Sequence, residues 1–209
     1  MMEEEKNPET EVHVQKTAEK PSALKELYVL LHDLVYILAF VTLFFVFALR
    51  LVSVDGYSMY PTLDDHDYVA LLSNVLYKDV KAGDIVVARV PTFSEDPIVK
   101  RVIATEGQTV DIDFERGVVY VDGEPLEEDY IYELTHNQFY DKGVTFPLRV
   151  NEGCVFVMGD NRNDSRDSRY APIGQVDTRY ILGKVLFVLM PGQDKLDNSR
   201  DFKRIGPVS

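Results

Sequence analysis

The sequence is short of cations and almost without cysteine. Over 209 residues, 22 Lys+Arg face 35 Asp+Glu, a formal net charge of −13. That deficit argues against a basic nucleic-acid-binding domain, which needs clustered cations to neutralise phosphates. One cysteine, Cys154, excludes an intramolecular disulfide framework. With no second Cys or His beside it at ligand spacing, a zinc ribbon is excluded as well. In the run Cys-Val-Phe-Val-Met it reads as a small buried hydrophobe. Histidine is scarce too, at four; His13 and His32 precede or enter the first apolar run, which leaves His66 and His136 for any histidine-based hydrolase. What is present, 45% hydrophobic and 27% charged residues, is the composition of a chain that buries a core.

From Met1 to about Glu26 the sequence is polar and opens with Glu3-Glu4-Glu5, too little apolar surface to offset the entropy of ordering, so residues 1–26 are expected to be a mobile tail. Composition then changes abruptly. Leu34 to Leu49 carries no charge, and a helix over about 31–54, with the span placed at 27–52, would rise about 30–36 Å, enough to cross a hydrocarbon core. The tail is long, the apolar run exceeds a usual signal core, and no small-x-small cleavage site follows, so the segment reads as an anchor and not a cleavable leader. Lys16, Lys20 and Lys25 precede it, whereas Arg50 stands alone after it until Lys78. The positive-inside rule then puts the tail in the cytoplasm and residues 53–209 outside, on a single-pass protein of the cytoplasmic membrane whose first partner is the lipid bilayer.

Beyond the anchor, short β-rich runs alternate with turn residues: 68–72, 84–90, 98–104, 109–113, 118–121, 154–158 and 184–190. They use Val, Ile and Tyr and end at Gly, Pro, Asp or Asn. Val118-Val119-Tyr120-Val121 followed by Asp122-Gly123 predicts a hairpin with a primed turn. The domain is expected to be mainly β.

Three clusters carry chemistry. Gly56-Tyr57-Ser58-Met59-Tyr60-Pro61 presents a serine hydroxyl and its own backbone N–H in a sharp turn, as acyl transfer requires, although a Ser between Gly and Pro is also an ordinary turn. Ile98-Val99-Lys100-Arg101-Val102 sets a lysine among aliphatics, with Ile98 and Val102 on its face of the strand. Burial disfavours an ammonium and makes such a lysine a base near neutral pH; a lysine snorkelling to solvent is the bland alternative. The third, Gly159-Asp160-Asn161-Arg162-Asn163-Asp164-Ser165-Arg166-Asp167-Ser168-Arg169-Tyr170, reads either as a solvated loop laced with ion pairs or as part of a site. Its acids resemble part of a calcium loop, but the three arginines oppose a cation and no bidentate Glu is correctly spaced, so no metal is expected.

Together, in this order after one apolar span, the clusters resemble the type I signal peptidases, membrane-anchored Ser/Lys proteases. The resemblance implies a twisted, mainly antiparallel β-assembly with a small insertion, at about 112–150, after one N-terminal transmembrane helix. It implies Ser58 as nucleophile and source of a backbone N–H for the oxyanion, Lys100 as general base, and Ser165 as the hydroxyl that hydrogen-bonds the lysine. Asp167 and Arg169 correspond to a structural ion pair and Asp160 to a supporting acid. The implied substrates are signal-peptide-bearing preproteins, with no cofactor and no nucleic acid, and Val54, Met59, Leu63 and Ile98 are candidates for shallow pockets selecting small side chains. Two departures stand out: Gly56 lies where some members carry a serine, and Ala104-Thr105-Glu106-Gly107-Gln108 replaces the family's frequent Gly-Leu-Pro-Gly-Asp. A Ser/His/Asp hydrolase and an inactive membrane-tethered binding module remain as alternatives.

Overall fold

A computed structural model describes residues 23–139, 142–197 and 199–208. The described chain divides into two units, one up to Val41 and one from Thr42. The described part of the first is helical and belongs to α1, which runs from Ala23 to Phe47, past the division, and has no buried residue. At about 1.5 Å per residue it is about 37 Å long, sufficient for a hydrocarbon core. Its start and end differ from the expectation. Ala23-Leu24-Lys25-Glu26, assigned to the tail, are good helix formers and open α1, with Glu26 favourably placed in its first turn. Residues 1–22, the rest of the expected tail, lie outside the described residues. At the other end Leu49–Ser53 is not helix but strand β1, because its backbone pairs in antiparallel register with 68–72. A short apolar run does not distinguish the two states until a partner strand is present.

The second unit is built from antiparallel β-structure. β2 (Tyr68–Ser73), β3 (Ile85–Ala88) and β4 (Ile98–Thr105) follow β1. Then come β5 (Thr109–Asp113), β6 (Val118–Val121), β7 (Glu124–Pro125) and β8 (Leu148–Arg149). β9 (Cys154–Met158), β10 (Val176–Asp177), β11 (Ile181–Met190) and β12 (Gly206–Pro207) complete it. One sheet has the order β1-β2-β11-β3-β4-β9-β10, with β12 on β11, and a second has β7-β6-β5-β8. The mainly β expectation therefore holds. So does the hairpin: Asp122 and Gly123 both take positive φ, 54° and 87°, and join Val121 to its partner Glu124, as a primed turn demands.

Three apolar clusters fill the unit. One joins Val54, Met59 and Leu63 to Val69, Leu71, Ile85, Val87, Val185 and Val188, so the segment between β1 and β2 is stitched into the core by its own side chains. A second lies around Val86, Val102 and Val157. The third, around Ile103, Val119 and Phe156, seats the smaller sheet. Each fully buried aliphatic or Met side chain contributes about 1.5–3 kcal/mol relative to exposure.

Candidate active site

Ser58 lies in the 54–67 loop between β1 and β2, which closes on itself. Val54 N donates to Asp67 O (2.8 Å), His66 N to Val54 O (2.9 Å), and Gly56 N to the Asp65 carboxylate (2.7 Å). Gly56 has φ +85°, a conformation that a side chain makes costly. Met59 and Leu63, wholly buried, pin the turn on either side of Pro61. Both pack into a core cluster, and neither is among the residues that line the cavity on Ser58 and Lys100, which corrects their expected place in a substrate pocket; a loop must bury some apolar side chains to hold its shape, and these two do so. No acceptor among the described residues takes the Ser58 backbone N–H.

Lys100 comes from the middle of β4, paired with Val86. Only 4% exposed, its Nζ donates to Ser58 Oγ at 2.6 Å and to Val99 O at 2.8 Å. Burial is the largest influence on it and brings its pKa from 10.5 down to about 8; the carboxylates of Asp167 and Asp160 oppose that shift and the Arg169 guanidinium assists it. The serine and lysine clusters, 42 residues apart in sequence, thus meet at hydrogen-bond distance.

The third cluster leaves β9 and wraps this pair. Gly159 is pressed against the loop: a Cβ there would lie 2.3 Å from both Ser165 Oγ and Ser58 O. Asn161 donates its backbone N–H to Ser58 O (3.1 Å) and its side-chain amide to Tyr57 O (3.0 Å). Ser165 is buried beside Gly159, yet its Oγ has no hydrogen-bond partner among the described residues. Its expected bond to the lysine is not formed here, since the Nζ bonds go to Ser58 Oγ and the Val99 carbonyl. Asp167 and Arg169 are wholly buried and form a two-pronged pair (2.9 and 2.8 Å), with Asp167 also accepting from Gly159 N (3.0 Å). Burial raises the Asp167 pKa, but the Arg169 charge and hydrogen bonds, the Gly159 N–H and Lys100 outweigh it and leave the carboxyl below its ordinary value.

The sequence names Asp160 but not its partners, and it does not single out Arg101, Thr62, Glu128 or Arg162. Asp160 accepts a fork from Arg101 (2.9 and 2.8 Å) and a hydrogen bond from Thr62 Oγ1 (2.5 Å), tying the residue after Lys100 to the Ser58 loop. The Arg101 guanidinium lies 3.9 Å from the centre of the Tyr130 ring. Arg162 pairs with Glu128 (2.5 Å) and donates to Gly159 O (2.9 Å). The available signal was an arginine next to the lysine on a strand, which alternation assigns to the opposite face without naming a partner.

A cavity of about 1030 Å³ opens on Ser58 and Lys100, and its wall includes the apolar Val54, Phe93, Ile98 and Val99 and the polar Asn137, Asn163 and Ser165. Of the four expected pocket residues, Val54 and Ile98 are on this wall. His66 meets Asp65 and His136 the Phe114 carbonyl; neither lines this cavity nor bonds to Ser58. Among the described residues no group of three or more His, Cys, Asp or Glu is placed to hold a metal ion.

The chain is similar in sequence to known proteins. The family described as signal peptidase, peptidase S26, matches residues 27–190. A probable signal peptidase I-1 of Synechocystis is 37% identical over 164 residues, 74% of this chain and 77% of that protein. Signal peptidase I T of Bacillus subtilis is 34% identical over 196 residues, covering 91% of this chain and 96% of that one. Signal peptidase IB of Staphylococcus aureus is 35% identical over 170 residues, covering 73% and 85%. With a buried lysine on its serine and these matches over most of its length, the chain belongs to the signal peptidase family, peptidase S26.

Proposed function

We propose that the protein is a serine endopeptidase that removes signal peptides from exported preproteins with Ser58 as nucleophile and Lys100 as general base. The observation that carries this reading is the 2.6 Å contact between Lys100 Nζ and Ser58 Oγ in a buried setting. As a neutral amine, Lys100 accepts the Ser58 proton while Oγ attacks the scissile carbonyl; the resulting ammonium then protonates the leaving amine. Lys100 next takes a proton from water as the water oxygen attacks the acyl carbonyl, and it returns that proton to Ser58 Oγ as the ester bond breaks, which restores the hydroxyl and the neutral amine. The free Ser58 N–H is the donor available to the oxyanion. Ser165, Asp160, Asp167 and Arg169 are assigned supporting roles: the last three hold the wall against which the pair is set, and Ser165 supplies a hydroxyl within it. Val54 and Ile98 remain the candidates for selecting small side chains.

For topology, the reading places the tail in the cytoplasm, α1 across the membrane and the catalytic domain outside, supported by the lysines before α1 and by its length. Ser58→Ala, Lys100→Met and Lys100→Arg, each assayed in the full-length protein on a preprotein and on a peptide spanning the cleavage site, test the chemistry. All three are expected to be inactive, the last because a guanidinium stays protonated, and wild-type activity is expected to survive chelation by EDTA. Turnover by Lys100→Arg near the wild-type rate would overturn the assignment.

A further inference from the structure

After β11 the chain doubles back along the Ser58 loop and touches it at several points. Gly192 N donates to Asp67 (2.6 Å), Gln193 N donates to Asp65 O (3.2 Å), and the Lys195 ammonium lies 5.7, 5.9 and 5.7 Å from the ring centres of Tyr57, Tyr60 and Tyr132. Lys195 also pairs with Asp164 at 3.3 Å. Arg204 makes the densest contact. Its guanidinium reaches Asp64 (2.6 Å) and both oxygens of Asp67 (3.1 and 2.7 Å), and it donates to the Thr62 carbonyl (3.1 Å). Asp64 and Asp67 are buried, and β12 holds the end of this segment on β11, pairing Phe187 with Pro207.

We propose that this C-terminal strap, through Arg204 and secondarily Lys195, is a positioning device that holds the Ser58 loop at its reacting distance from Lys100. Thr62 explains how. Its carbonyl accepts from Arg204 while its hydroxyl donates to Asp160, which grips Arg101, the strand neighbour of Lys100. Two connections therefore run from Arg204: one through the loop to Ser58, four residues before Thr62, and one across Asp160 to the strand that carries the lysine. Two buried carboxylates three residues apart repel each other unless a cation bridges them. In line with that strain, burial pushes Asp64 up to about 6, with Asp67 and Asp194 adding to the rise and Arg204 and the Lys195 backbone N–H opposing it. Without Arg204 the loop would relax at Thr62–Asp67, and displacements near 1 Å cost catalysis heavily while leaving the substrate cleft in place. A guanidinium fork spans both acids and the carbonyl; a lysine would serve only one of them at a time.

The inference rests on Ser58 and Lys100 as the reacting pair, and the experiment separates the two. Full-length Arg204→Met, Arg204→Lys and Lys195→Met are compared with Ser58→Ala, Lys100→Met and the distant surface variant Arg179→Met. Each is measured for kcat and KM on a peptide and for thermal unfolding, with rates expressed per folded enzyme. Arg204→Met is expected to lose about tenfold in kcat, with KM within about twofold. Arg204→Lys should recover part of the loss, Lys195→Met should lose about threefold, and Arg179→Met should match wild type. If Arg204→Met does not fold, the other two strap variants decide. Folded strap variants with wild-type kcat, or a loss carried by KM or by the folded fraction alone, would overturn the positioning role. Activity in Ser58→Ala or Lys100→Met would instead overturn the functional reading beneath it.

Discussion

Two strand lysines face the same residue from opposite sides. Val86 of β3 pairs with Lys100 of β4 on one side and with Lys184 of β11 on the other, yet the two lysines serve different ends. Lys184 keeps 33% of its side-chain surface and forms an ion pair with Asp84, which also accepts from the Tyr77 hydroxyl (2.6 Å) and Lys81 N (3.0 Å). Burial works to raise the Asp84 pKa, but Lys184, Tyr77 and the Lys81 N–H hold it below its ordinary value. Lys100 has almost no exposed surface, and among the described residues no carboxylate is within ion-pair distance of it; its partners are a hydroxyl and a carbonyl. A paired carboxylate favours the ammonium, whereas burial with neutral partners favours the amine. The lesson is that residue type and register decide little about a lysine until the acceptor within reach is known.

The largest expected effect tests that contrast directly. Lys100→Met should lower kcat/KM on a peptide substrate by about 10³-fold or more, while Lys184→Met should stay within about twofold, because only one of the two amines is placed to take a proton from a nucleophile. Equal losses would dissolve the distinction. Next comes the crowding on the Lys100 side. Gly159→Ala would put a methyl group into Ser165 Oγ and Ser58 O, so the wall or the loop must yield, and kcat should fall by about 10²-fold in protein that still folds. A rate within a fewfold of wild type would show that the wall moves freely.

The pH dependence sharpens the contrast further. With the free-enzyme Lys100 pKa at about 8 and the amine as the active form, kcat/KM should climb about tenfold per pH unit below that value and level off above it. A profile flat from pH 6 to 9 would contradict a lysine base.

The smallest effects concern stability, and here the two lysines should have opposite signs. Because the folded pKa of Lys100 is about 8 against 10.5 unperturbed, both folded and unfolded chains hold the proton below pH 8, and the folded state bears the whole cost of burying it. Between about 8 and 10.5 the folded state releases the proton first, stability rises, and above 10.5 the cost is gone. Lys100→Met should therefore stabilise the protein at pH 7 by roughly 3 kcal/mol and flatten the rise between pH 8 and 10.5. Asp84→Asn, which leaves Lys184 without its carboxylate, should destabilise by about 1–2 kcal/mol and leave kcat nearly unchanged. Chemical denaturation across that pH range measures both; a destabilised Lys100→Met at pH 7 would refute the proposed cost.

Much of this was legible from composition and order. The apolar run, the β-rich segments, the Asp122-Gly123 turn and the three polar clusters announced themselves through local properties: hydropathy, alternation and the need for positive φ. The resemblance carried by the clusters pointed to the family before any contact was known. Local properties were weakest where the same residues satisfy two states. Leu49–Ser53 is apolar enough to continue a helix and became a strand only because β2 was there to pair with it. Met59 and Leu63, close to the nucleophile in the chain, are substrate-pocket candidates by sequence, and the folded loop packs them into the core cluster.

What the chain by itself determined was which chemistry it carries: one serine in a sharp turn, one lysine among aliphatics and a loop dense in acids and arginines, without the cysteines or cation excess of other classes. Only the tertiary structure decided what touches what. Ser58 and Lys100, Arg101 and Asp160, Arg162 and Glu128, and Arg204 and the Asp64–Asp67 pair are contacts across 34 to 140 positions of sequence. Such contacts leave no periodic trace, because a charged side chain satisfies the same alternation whether it meets water or a partner; burial alone makes the partner obligatory.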